Sequence, residues 1–64
     1  MSGWESAVRA AWELQEAHPD WTVRPARRRD GPGLEAVCEG RAAMIGPVAE
    51  VRAELSREER SSAA

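Results

Sequence analysis

The stretch His18-Pro19-Asp20-Trp21-Thr22-Val23 forces one kind of local order to end and another to begin. Proline lacks a backbone N–H, and its ring crowds the preceding residue out of the helical region. A helix arriving from the N-terminus must therefore stop at His18. Asp20 suits the turn, because its carboxylate can accept a hydrogen bond from a nearby backbone N–H. Trp21, Thr22 and Val23 are aromatic and β-branched, which favours a half-buried strand. Trp21 is expected to fill the angle between helix and strand, its indole N–H on an acceptor or water. His18 is expected to cap the helix C-terminus or lie at the surface.

Before this corner, Trp4, Ala7, Val8, Ala11, Trp12, Leu14 and Gln15 recur at helical spacing, with Trp12 on the edge of the apolar face. Glu5, Arg9, Glu13 and Glu16 fall on the other side, where Glu5–Arg9 and Arg9–Glu13 are four apart. Ser2 followed by Glu5 reads as a capping box, so the spacing predicts a helix from Ser2 to His18. The simplest expectation is that Trp4 and Trp12 join Trp21 in one aromatic core. The sharper one keeps Trp4 or Trp12 partly exposed as a docking anchor.

After the corner, Trp21 and Val23 face one side of a strand, and Thr22 and Arg24 the other. Pro25 restricts that strand to an edge or ends it early. Asp30-Gly31-Pro32-Gly33 is a strong turn signal. A hairpin follows, with Leu34 to Arg41 returning, Leu34, Ala36 and Cys38 on one face and Glu35, Val37 and Glu39 on the other. Arg24 or Arg27 is then placed to pair with Glu35 or Glu39. Leu34 to Ile45 also fits a helical period, although Gly40 costs about 1 kcal/mol in a helix interior. Gly46-Pro47 opens a second helix at the first-position proline, running to Arg57 or beyond, with Val48, Val51 and Leu55 as a narrow apolar stripe. Met44 and Ile45 are expected to cover the end of the core. The fold expected is α+β, a single helix–β-hairpin–helix (αββα) domain over 1–58 with a disordered tail at 59–64. The alternative is an all-α three-helix protein.

A chain of 64 residues with one cysteine has no intrachain disulfide and no zinc-ligand set, so its small core is expected to draw on a partner. The net charge of −2 argues against a general polyanion binder. No stretch is long and apolar enough to span a bilayer and no signal peptide is visible, so a cytoplasmic location is expected. His18 has no second histidine to share a metal or a proton with, and Cys38 reads as a small buried hydrophobe. No catalytic residue, metal site, cofactor or small-molecule substrate is expected. The expected function is a non-enzymatic protein-interaction module, either a homodimer or a subunit docked on a larger partner. Its contact residues are expected to be Trp4, Trp12, Val48, Val51 and Leu55. The alternative is a small regulator touching nucleic acid through the basic patch of Arg24, Arg27, Arg28 and Arg29.

Lysine, asparagine, phenylalanine and tyrosine are absent while alanine and arginine abound, as codon bias in a GC-rich bacterial genome would produce. That bias accounts for an all-arginine basic set without reference to nucleic acid. Trp12-x-Leu14 with His18-Pro19-x-Trp21-x-Val23, a glycine-rich turn and a final amphipathic helix resembles short uncharacterised proteins of GC-rich, actinobacterial-type genomes. Those carry a His-Pro-Gly-Trp-type signature, and Asp20 stands here in the glycine position. The resemblance implies a small standalone protein and no catalytic residue.

Overall fold

The structure, a computed structural model, describes the backbone of residues 3–63 and the side chains of residues 3–60. Its elements are α1 (Gly3–Ala17), β1 (Thr22–Arg28), β2 (Gly31–Val37), β3 (Met44–Gly46) and α2 (Val48–Ala63). The three strands form one antiparallel sheet in the order β1-β2-β3. Helix α1 lies on β1 and β2, and α2 on β2 and β3, so one face of the sheet is covered. No helix among the described residues is long and apolar enough to cross a membrane.

Helix α1 ends where Pro19 requires. The His18 N–H still bonds the Leu14 carbonyl at 2.8 Å, and the Trp21 N–H then bonds the His18 carbonyl at 3.0 Å to close the turn. Ser2, the expected cap, lies outside the described residues. The core is made of Ala7, Ala10, Ala11 and Leu14 of α1, Trp21 and Val23 at the corner, Leu34 and Ala36 of β2, and Val51 and Leu55 of α2. Three alanines on the buried face of α1 let the helix axis approach the sheet closely, which leaves Leu34 and Leu55 as the largest side chains fully shut from solvent.

The pairing of β1 with β2 sets Val23 opposite Ala36, Arg24 opposite Glu35 and Pro25 opposite Leu34. Leu34 to Val37 is therefore strand, and the all-α alternative is excluded. Arg24 and Glu35 form the cross-strand ion pair at 3.2 Å. The hairpin turn falls earlier than the glycine-rich tetrad suggests. Arg28 pairs with Gly31, so the loop is Arg29-Asp30, and Gly31, Pro32 and Gly33 belong to β2. The cause is register: burying Val23, Leu34 and Ala36 on one face fixes every later pair. The strand returning from the turn also ends earlier than expected, at Val37. Cys38-Glu39-Gly40-Arg41 then turns, with the Arg41 N–H on the Cys38 carbonyl at 3.2 Å and Gly40 at φ 79°. A third turn residue at that φ is the glycine position of a type II turn.

Met44 packs against the core as expected, whereas Ile45 is largely exposed. They form β3, with Met44 opposite Ala36 and Ile45 opposite Glu35. A three-residue strand carries too little alternation to be visible as a pattern. Helix α2 starts just after Pro47, whose carbonyl accepts from the Val51 N–H at 3.1 Å. Its backbone stays helical across 59–63, the segment expected as a tail, and Ala64 lies outside the described residues.

The free edge of β1 is closed by a residue whose role was not evident from its spacing. The Gln15 side chain donates to the Trp21 carbonyl at 2.5 Å, and its oxygen accepts from the Val23 N–H at 2.8 Å. Alternate residues of an edge strand turn their N–H away from the partner strand. Val23 and Pro25 share that orientation, so Gln15 occupies one outward donor and Pro25 removes the next. Pro32 is accommodated likewise on β2, because β3 reaches only residues 34–36 of that strand. Gln15→Ala is expected to lower unfolding free energy by about 1–2 kcal/mol, as two part-buried hydrogen bonds are lost. Urea denaturation followed by circular dichroism measures this directly.

Candidate functional site

The outward surface of α1 is the most chemically distinct part of the molecule. A helix advances about 100° per residue, so positions four apart drift by about 40°. Trp4, Val8 and Trp12 therefore form a slanting ridge. It starts beside the β1 edge, where Trp4 and Val8 are half-buried, and climbs to Trp12, which is 74% exposed. The Arg27 guanidinium lies over the Trp4 ring, 4.4 Å from its centroid, in a cation–π contact. The ridge lines a shallow groove together with Glu5, Arg9, Glu13 and Glu16.

The expectation of three gathered indoles is thus corrected. Only Trp21 fills the corner, at 7% exposure. Trp12 lies two residues on from buried Ala10, about 200° around the helix, which points it away from the sheet. The alanine face brings α1 too near the sheet for an indole to lie between them.

The other expected contact residues divide differently. Val51 and Leu55 are core, 2% and 0% exposed, and Val48 is partly buried against them. The sheet needs a second cover over β2 and β3, and the narrow α2 stripe is wide enough for that short surface. Val51 and Leu55 therefore have no area to offer a partner.

The four arginines of the basic patch do not converge on one surface. Arg24 and Arg28 share the uncovered sheet face, where they pair with Glu35 at 3.2 Å and Asp30 at 3.5 Å. Arg27 points to the helix side, onto Trp4. Arg29 is exposed in the hairpin loop.

A second hollow gathers His18, Asp20, Trp21, Cys38, Arg41, Glu58 and Glu59 where the end of α1 meets α2. It places Cys38 and His18 in one concavity, an adjacency their separation in the chain conceals. His18, Cys38 and Arg41 each already have a neighbour there. The His18 Nδ1 faces Glu59 at 3.8 Å, Arg41 pairs with Glu58, and the Cys38 Sγ lies 3.8 Å from the Glu39 carbonyl oxygen. The His18 side chain is 9% exposed, so it joins the two helices instead of lying at the surface. No group of three potential metal-ligating side chains occurs among the described residues.

No family model matches the chain, and neither the curated proteins nor the solved structures yield a match. The α1 ridge therefore stands on its own geometry as the candidate site.

Proposed function

We propose that this protein is a non-enzymatic protein-interaction module that docks through the Trp4–Val8–Trp12 ridge of α1. The observation that carries the reading is the exposure of Trp12, 74% on a regular helix whose opposite face is fully committed to the core. An indole left in water on a rigid support is costly to the free protein and gains most when covered. Anchors spaced four apart on one helix suit the insertion of a helix into an apolar groove. The charged residues of the groove fit a rim of interface polarity around an aromatic centre.

The arginine cluster supports a nucleic-acid reading less well, because its members point to both faces of the hairpin and three are engaged within the chain.

The test compares the wild-type chain and Trp12→Glu as bait in the native cell, with bound species, further copies of the chain included, identified by mass spectrometry. A defined species retained by the wild type and lost with Trp12→Glu is the expected result. Identical profiles for both baits overturn the docking reading. Because Trp12 is exposed, the variant should unfold within about 0.5 kcal/mol of the wild type, so loss of binding cannot be ascribed to loss of fold.

A further inference from the structure

We draw no further inference here: the strongest candidate, the outer edge of β3 with the slot that Met44, Glu50, Val51 and Glu54 line beside it, carries nothing, because a strand of three residues leaves little edge to pair with and nothing in the structure shows what covers it.

Discussion

Gly33→Ala is expected to unfold the protein or come close to it. Gly33 lies in the central strand, opposite Ala26, and is buried although it has no side chain. A Cβ added there would be driven well inside contact distance of the Gly46 carbonyl oxygen, and would lie 3.1 Å from the Gly46 carbonyl carbon and 2.7 Å from Arg28 Cδ. The arginine stem can swing aside at little cost. The Gly46 carbonyl cannot, because Gly46 is paired with Leu34 and leads directly into α2 through Pro47. Relief requires β3 to separate from β2 and carry the start of α2 with it. Overpacking costs about 1–3 kcal/mol where the surroundings can adjust, and more where the obstacle is backbone. Single hydrophobic cores in domains of this length rarely supply more than about 3–5 kcal/mol. The measurement is the far-ultraviolet circular dichroism of the purified variant with its urea midpoint. A midpoint like that of the wild type would show that the approach of β3 to β2 is not as close as described.

The second large effect is expected at the two fully buried leucines. Leu34 and Leu55 are each 0% exposed, one on the central strand and one on α2, and they belong to the same core. Leucine-to-alanine changes at such sites cost about 2–5 kcal/mol, combining lost transfer energy with the cavity left behind. The alanines of α1 have no longer side chains to swing into the gap, so collapse around the cavity is limited. Either variant is expected to populate the unfolded state substantially at room temperature. Trp21 fluorescence would follow the loss of the corner, with Trp4 and Trp12 changed to Phe to isolate its signal. The contrast with Trp12→Ala, expected to leave stability nearly unchanged, distinguishes the buried apolar residues from the exposed one.

That contrast also shows where the sequence is informative. On α2 the stripe Val48-Val51-Leu55 has the same periodicity whether it faces a sheet or a partner. Periodicity reports that a face is apolar and leaves open what covers it. On α1, seven apolar or amphipathic positions form one broad face, and of these the sheet covers only Ala7, Ala11 and Leu14, together with Ala10, which the pattern did not include. The division of that face into a buried half and the exposed ridge depends on how closely the helix approaches the sheet, and three-dimensional packing sets that distance. Gln15 is a similar case. A glutamine on the margin of an apolar face carries no mark of its use until the strand edge it closes is in place.

The chain itself determined the elements with local causes. Pro19 ended α1, the β-branched and aromatic run after it made a strand, and the alternation of Val23, Leu34 and Ala36 fixed the hairpin register. Steric limits at proline and the two-residue period of a strand act over a few residues, so sequence expresses them directly. Tertiary structure decided the rest: the third strand Met44–Gly46, the burial of Val51 and Leu55, the scattering of the arginines, and the exposure of Trp12. Those outcomes depend on which surfaces meet across the sheet, and burial is a property of both surfaces in a contact, whereas a sequence pattern describes only one.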